Sequence, residues 1–205
     1  MSKLSNDIQL LEDSRSPKRR SAAKRLRKLG DIAAGPALLK RLKTEVLDPR
    51  TWETQYQLIM AIGECLYLDA LPFLDDLSKV KLEAAMIYVG IGDALVRLKS
   101  DGGRDIAPVI SLMQSNNDML IDGAFRAMAM LKMVPSDEAV IAILGFVSKF
   151  DINHGIRFWP LAASAGWDGD HVLKYISECS HSHREDLQRA AKFASDGKYY
   201  NWRPL

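Results

Sequence analysis

Apolar positions recur along the chain at an interval of 36 residues. Prolines mark this interval most clearly, at Pro36, Pro72 and Pro108. A fixed period in this range is typical of helical repeat arrays, in which each repeat is a pair of helices that buries its apolar face against its neighbours. The aliphatic rows that keep the register are Ala22, Leu58 and Ala94; Ala23, Ile59 and Leu95; Leu26, Ile62 and Leu98; and Leu38, Leu74 and Ile110.

Helix start and stop signals divide each repeat into two helices. Ser16 before Pro17 is typical of an N-cap followed by proline at the first helical position, and Gly30 is typical of a C-terminus. The interval shortens to about 33 residues in the fourth repeat, where Leu131 corresponds to Leu98. No useful run of alternating apolar and polar residues predicts a strand.

The pattern therefore predicts an all-α fold, a right-handed α-solenoid of about five helix pairs with an extra helix at each end. We expect one domain over 1–205, with an N-terminal capping helix in 1–14, repeats in 16–180, and a C-terminal cap and tail in 184–205. The tail carries aromatic residues that we expect to cover the last repeat: Tyr199, Tyr200 and Trp202. The residues predicted to be buried are Ala23, Leu26, Ile59, Ile62, Leu95, Leu98, Leu131 and Ile143.

The repeats resemble those of the HEAT-repeat family. The matching features are the run AAKRLRKLGD before the first turn and the second-helix starts GPALLKRL, LPFLDDL and APVISLM. The resemblance covers roughly residues 16–180 and implies an architecture rather than an activity. Known HEAT proteins are mostly scaffolds, adaptors and inhibitors, and a minority are enzymes or lyase subunits.

Composition limits the cellular locations in which we expect the protein. No stretch of about 18 apolar residues predicts a membrane span, and the N-terminus lacks the apolar segment of a secretory signal. Cys65 and Cys179 lie far apart inside predicted helices, which favours buried thiols over a disulfide and a cytoplasmic location. Neither the oligomeric state nor the identity of a partner can be derived from the sequence.

Positive charge is concentrated in the first repeat. Residues 1–50 hold thirteen Lys and Arg against six Asp and Glu. This surface is either a docking site for an acidic protein or for phosphates, or a solvated face that keeps the end of the array soluble. Nucleic acid is the weaker interpretation, because no aromatic residues interleave with the basic run to stack on bases. The candidate partner-binding residues are Lys18, Arg19, Arg20, Lys24, Arg25, Arg27, Lys28, Lys40, Arg41 and Lys43.

A second candidate site is acidic. Asp75 and Asp76 fall in the second helix of the second repeat. The resemblance to HEAT arrays implies that second helices line the concave surface, so these carboxylates are candidates to receive a basic partner.

The chain shows no nucleophile motif, phosphate loop or paired-carboxylate signature, and we assign no catalytic residue, cofactor or metal. Cys179, His181 and His183 do not have the spacing of a closed zinc site. HEAT-like DNA glycosylases use an Asp and Trp residues in a basic cleft, but no local motif ties such residues together here. The residues available for that reading are Trp52, Trp159, Trp167, Trp202, Asp93 and Asp122.

The function that the sequence favours is recognition of another protein without catalysis, as a scaffold, an adaptor or an inhibitor such as an immunity protein. The alternative is a HEAT-like protein that binds nucleic acid through its basic first repeat. A DNA glycosylase or lyase subunit is less favoured, because it needs a ligand-sized pocket beside Trp52, Trp159 or Asp122.

Overall fold

The structure is a computed structural model and describes residues 2–200. These residues form helices joined by turns and short 3₁₀ segments, with no strand among them, so the predicted all-α class is confirmed. The twelve α-helices of this part of the chain are α1 (Lys3–Leu10), α2 (Ser16–Leu29), α3 (Gly35–Glu45), α4 (Trp52–Glu64), α5 (Leu71–Leu77), α6 (Met86–Lys99), α7 (Ala107–Leu112), α8 (Asp118–Met130), α9 (Asp137–Val147), α10 (Phe158–Ala163), α11 (Asp170–Ser180) and α12 (Glu185–Ser195).

Local signals account for several helix ends. Gly30 takes the left-handed conformation, with φ of 63°, and closes α2 as expected for a glycine C-cap. Asn117 caps α8 by accepting hydrogen bonds from two backbone N–H groups, and Ser136 caps α9 in the same way through one. Ser16 is the first residue of α2 rather than its N-cap, because the extended residue before the helix is Arg15.

Along residues 16–180 the α-helices alternate between two sets, the first helices α2, α4, α6, α8 and α10 and the second helices α3, α5, α7, α9 and α11. The first helices form one layer, in which α2, α4, α6, α8 and α10 each pack against the next. The second helices lie behind this layer, with α3 against α4, α5 against α6 and α7 against α8. At the two ends, α1 packs on α2, and α12 packs on α10 and α11.

The core lies between the two layers. Of the eight residues predicted to be buried, seven are at most 6% exposed. Leu131 is the exception: it is only partly buried at the edge of the core, since it follows the last residue of α8 at the turn. The 36-residue register therefore located the buried face correctly within the helices and less well at a helix end.

Two glycines let α6 and α8 approach closely. A Cβ on Gly92 would lie 2.0 Å from the carbonyl oxygen of Leu120, and one on Gly123 would lie 2.1 Å from that of Val89. Only glycine fits at either position, because the neighbouring group in each case is backbone. This contact fixes α6 against α8, and both helices contribute to the pocket described below.

Tyr200, the last described residue, lies against α10 and α12, and the expected role of the tail as a cap stays a prediction. Tyr200 lies edge-on to Phe158 and Phe193, with centroid distances of 5.6 and 5.4 Å. Trp202 lies outside the described residues. Cys65 and Cys179 are buried free thiols, as predicted, and burial raises the pKa of the Cys65 thiol to about 11. No helix within residues 2–200 combines the length and apolar character that a membrane span requires.

Candidate functional site: an aromatic and basic pocket

A pocket of about 660 Å³ opens on the layer of first helices. Five consecutive first helices contribute to it, so it draws on sequence positions far apart in the chain. Its lining combines basic, aromatic and a few buried polar groups. The lining residues are Arg20, Ser21, Lys24, Arg27, Trp52, Glu53, Tyr56, Gln57, Met86, Val89, Asp122, Arg126 and Trp159.

Helix α2 supplies the basic wall of the pocket. Arg20, Lys24 and Arg27 follow one another at helical spacing, which places them on one face of α2. Arg20 forms an ion pair with Glu53 at the rim, whereas Lys24 is exposed and makes no ion pair with any residue in 2–200. This wall therefore keeps cationic groups available to a ligand.

Aromatic side chains come from α4 and α10. Trp52 and Tyr56 lie one turn apart on α4, and Trp159 reaches the pocket from α10. The ring of Tyr56 packs against Gly90 of α6, where an added Cβ would lie 3.1 Å from the ring. Burial is the main cause that raises the pKa of the Tyr56 phenol, so the group stays neutral and can donate a hydrogen bond.

A chain of buried ion pairs runs beneath the pocket across α2, α4, α6 and α8. Asp93 is fully buried and pairs with Arg97 at 2.6 Å and with Arg126. Arg97 continues to Glu64 at 3.1 Å, and Glu64 lies 3.8 Å from Arg27. In this network of ion pairs, three guanidinium groups share two carboxylates. The network therefore keeps one positive charge.

Both ends of this chain of ion pairs face the pocket. The guanidinium of Arg126 lies 5.6 Å from the centroid of the Trp159 ring, within reach of a cation–π interaction. At the other end, burial is the largest cause that lowers the pKa of Arg27, and repulsion from Arg126 lowers it further. The pocket therefore holds incompletely neutralised positive charge that an anion would stabilise.

Asp122 is one of two acidic residues that line the pocket, the other being Glu53 at the rim. Burial raises its pKa to about 6, even though the charge of Arg126 and a hydrogen bond with the Trp159 side chain both favour the ionised form. Asp122 and Trp159 also border a second, smaller cavity of about 340 Å³ that Arg184 lines from the other side. A carboxyl group that titrates near pH 6 can hold or release a proton under physiological conditions.

The predicted basic surface does not form a single patch. Three of its members, Arg20, Lys24 and Arg27, line the pocket. Arg19 is only 6% exposed, because it pairs with Glu45 at 2.7 Å inside the fold and is therefore not available to a partner. The other members have contacts outside the pocket or extend into solvent: Lys18 with Asp13, Arg25 with Asp7, Lys40 with Glu12, Arg41 with Glu45, Lys43 over Phe73, and Lys28 exposed.

The predicted acidic site is also apart from the pocket. Asp75 pairs with Lys99 at 2.7 Å and Asp76 with Lys79 at 3.3 Å, and neither carboxylate lines a described cavity. The pocket lies on the first helices, whereas these two residues lie on the second helix α5. Within residues 2–200, no group of three His, Cys, Asp or Glu side chains is placed to hold a metal ion.

Sequence reasoning placed Trp52, Trp159 and Asp122 among candidates but did not bring them together, and it missed Tyr56, Gln57 and Arg126. The repeat register held the missing signal. Two sets of residues, each made of equivalent positions in successive repeats, line the pocket or form the ion pairs below it. These rows are Glu53, Val89, Asp122 and Trp159, and Ser21, Gln57, Asp93 and Arg126.

No protein-family model and no curated protein matches the sequence. The chain is similar over nearly its full length to two crystal structures of engineered proteins. One has a TM-score of 0.48 at 18% identity and covers 96% of this chain and 98% of its own. The other has a TM-score of 0.45 at 18% identity and covers 97% of this chain and 99% of its own. Neither likeness carries an argument about family or function.

Proposed function

We propose that the chain is a HEAT-like right-handed α-solenoid that binds nucleic acid on the surface formed by its first helices. Support for this arrangement comes from the pocket itself, because five consecutive first helices reach one cavity. A layer of first helices that curves toward the cavity brings side chains from all five helices together there. The second helices then form the outer side of the array.

The observation that carries the proposal is the meeting of aromatic and cationic side chains in one pocket. Trp52, Tyr56 and Trp159 line it together with Arg126 and Lys24, and of the three rings that of Trp52 is well exposed. Proteins bind single nucleic acid strands by stacking bases on aromatic rings while cationic groups follow the phosphates. The sequence had favoured nucleic acid less because the aromatic residues come from α4 and α10 rather than from the basic run.

The size of the pocket fits one nucleotide better than it fits a protein surface. Pockets for small molecules and cofactors measure about 300–1,000 Å³, and this one measures about 660 Å³. Four basic residues line it against two acidic ones, which favours an anionic ligand. The sequence-based expectation of a protein partner stays a prediction, since no contact described above adds to it.

The test is a fluorescence-anisotropy titration of a labelled, mixed-sequence single-stranded oligonucleotide at low and at high salt. Lys24→Glu removes an exposed cation from the pocket, and Trp52→Ala removes a ring that is 38% exposed. We expect each to weaken binding about tenfold or more, since stacking contributes about 1–3 kcal/mol per base and phosphate contacts contribute comparably at low salt.

The matched control is Lys174→Glu, which makes the same change of charge at an exposed position of α11 outside the cavities. It should leave binding nearly unchanged. Equal losses in the Lys24 and Lys174 variants would mean that net charge alone drives binding. The absence of binding to single-stranded and duplex probes at low salt would refute the proposal and restore an acidic protein as the leading candidate.

A second candidate function is DNA base excision, and Asp122 is the observation that favours it. The pocket combines an Asp whose pKa is raised to about 6 with Trp52, Trp159 and a basic wall. HEAT-like DNA glycosylases, which the sequence resembles in architecture, use an Asp and Trp residues in a basic cleft. In that reaction water cleaves the bond between base and sugar, and the products are a free base and an abasic site.

Base excision is tested by incubating the protein with duplex DNA that carries alkylated bases. Release of free base that is lost in Asp122→Asn and retained in Asp76→Asn would support it. Oligonucleotide binding without base release under the same conditions would leave nucleic acid binding as the whole function.

A further inference from the structure

Asp122 lies where the pocket adjoins the smaller cavity of about 340 Å³. The two cavities have only Asp122 and Trp159 in common among their lining residues. The Asp122 side chain is partly exposed at this junction. Its carboxyl group is therefore open to a ligand in either cavity.

No close ion pair within residues 2–200 neutralises Asp122. Two cations are near enough for their charge to act on it, Arg126 and Arg184. Each has another partner, since Arg126 pairs with Asp93 and Arg184 pairs with Asp186. When Asp122 is ionised, its negative charge is consequently only partly offset.

The other carboxylate of the pocket lining provides the contrast. Glu53 forms an ion pair with Arg20 at the rim, so its charge is balanced at close range. Asp122 is thus the carboxyl group of the pocket whose charge most directly opposes an anion. A phosphate that binds beside an ionised Asp122 experiences a repulsion that it would not experience beside a neutral one.

Asp122 changes its charge within the physiological pH range. Burial raises its pKa to about 6, although the charge of Arg126, a hydrogen bond with the Trp159 side chain and the charge of Arg184 all oppose this shift. The carboxyl group is therefore mostly neutral at about pH 5 and mostly ionised at about pH 7.

The neighbouring elements present few other groups that gain or lose a proton in this range. Helices α7 and α10 carry no charged residue. Histidine is the side chain that most commonly titrates between about pH 5 and 8, so His154, which lines the smaller cavity, needs its own control. The charged and titratable groups around Asp122 are Asp118 and Arg126 on α8, Asp93 on α6, Tyr56 on α4, His154 before α10, and Arg184 and Asp186 at the start of α12.

We propose that Asp122 makes the binding of a nucleic acid strand dependent on pH. Protonation removes the negative charge at the junction of the two cavities, so the pocket holds phosphate more tightly in mildly acidic solution. By linkage, a bound strand makes Asp122 take up a proton. This inference rests on the proposed binding of nucleic acid and adds the regulation of that same site.

The experiment is an anisotropy titration at pH 5.5, 6.5 and 7.5 at constant ionic strength. The probe is a labelled oligothymidylate without a terminal phosphate, because neither thymine nor a phosphodiester titrates in this range, and the label is a dye whose emission does not depend on pH. We expect the parent to bind at least about fivefold more tightly at pH 5.5 than at pH 7.5.

Asp122→Asn is the decisive variant, because asparagine has the shape of the protonated side chain and no charge at any pH. It should bind at pH 7.5 about as tightly as the parent binds at pH 5.5, and its affinity should no longer depend on pH. A gain of affinity cannot arise from a damaged fold.

Two controls separate Asp122 from its neighbours. Asp118→Asn removes an exposed carboxylate that lines only the smaller cavity and should leave the pH dependence in place. His154→Asn removes the histidine and keeps a side chain that can accept the hydrogen bond from the backbone N–H of Ile156. It should retain most of the pH dependence.

Calorimetry provides a second readout that a purely structural role would not change. At pH 6.5 the heat of binding is measured in two buffers that differ in their enthalpy of ionisation. A difference between the buffers reports the protons taken up on binding. We expect uptake of a fraction of one proton by the parent and none by Asp122→Asn.

Each contrary result has a distinct meaning. An affinity that is independent of pH in the parent, a pH dependence that persists in Asp122→Asn, or one that disappears in His154→Asn would overturn the assignment to Asp122 and leave nucleic acid binding intact. Failure of the oligonucleotide to bind at any of the three pH values would overturn both proposals together.

Discussion

Replacing Asp93 by Asn tests whether the buried ion pairs hold the layer of first helices together. Asp93 is fully buried between Arg97 and Arg126, which are themselves 8% and 4% exposed. Asparagine keeps the shape of the side chain but removes its charge. Two guanidinium groups that share this carboxylate would then be left in the core, Arg97 with its weaker pairing to Glu64 at 3.1 Å and Arg126 without its buried partner.

The expected loss of stability is large. Removing one partner of a buried ion pair costs about 3–5 kcal/mol, because the remaining charge stays desolvated. Total stabilities of native proteins are about 5–15 kcal/mol, so the loss is a substantial part of the whole. For a chain of this length it corresponds to a fall in melting temperature of about 6–20 °C.

The assay is urea denaturation followed by far-UV circular dichroism, with the melting temperature measured in parallel. Asp76→Asn is the control, because it breaks an ion pair whose two side chains are 82% and 73% exposed and should change little. A triple variant, Asp93→Leu with Arg97→Met and Arg126→Met, should recover much of the stability, because apolar groups of similar volume can replace a buried ion network.

The triple variant also separates stability from function, since it removes Arg126 from the pocket wall and should bind oligonucleotide poorly even when folded. The reasoning would be refuted if Asp93→Asn unfolded at the same urea concentration as Asp76→Asn. It would also be refuted if Asp93→Asn were strongly destabilised but the triple variant no better, because the loss would then not come from unpaired charge.

Two further predictions concern α8. In the folded state the pKa of Asp122 is raised from 3.8 to about 6, so the folded state binds its proton more tightly and this group's contribution to stability falls as pH rises from about 4 to about 6. Asp122→Asn should remove that dependence of the urea midpoint on pH. The same dependence in the parent and in Asp122→Asn would contradict the assignment. Gly123→Ala should lower the melting temperature sharply, because its Cβ would meet the carbonyl group of Val89. The control is Gly145→Ala on α9, whose Cβ would meet open space, and it should leave the melting temperature unchanged or raise it. Similar effects of the two variants would disprove the close contact of α6 and α8.

The all-α class was predictable from the sequence because it depends on periodic apolar residues. Pro36, Pro72 and Pro108 recur with the helix pairs, and each occupies the first turn of a second helix. Such signals are local, since a proline or a capping side chain acts on its own helix wherever that helix packs. Leu131 shows the limit: a register position at the end of a helix is not held in the core by a following turn.

The pocket was less predictable because it depends on side chains that meet only after the helices stack. The basic run in α2 appeared in the sequence as one surface, but Arg19 points into the fold and pairs with Glu45 while Lys24 faces the pocket. Helical spacing separates these two residues onto different faces. The aromatic partners of Lys24 come from α4 and α10, far along the chain.

The same repeat register that builds the core also builds the candidate site. Ser21, Gln57, Asp93 and Arg126 are equivalent positions in the sequence register. The first is a small polar residue, the second carries an amide with an unpaired oxygen, the third is a buried carboxylate and the fourth is a guanidinium that pairs with it. A repeat that served architecture alone would be free to carry an apolar residue there throughout. Polar groups that burial makes costly instead occupy three of these four positions, Gln57, Asp93 and Arg126, whereas Ser21 is exposed. Ion pairs offset the cost at Asp93 and Arg126, whereas nothing within residues 2–200 offsets it at the oxygen of Gln57. The oxygen of Gln57 has almost no accessible surface, so the physical reason to look for a ligand at this pocket is the exposed cation of Lys24 beside the exposed ring of Trp52.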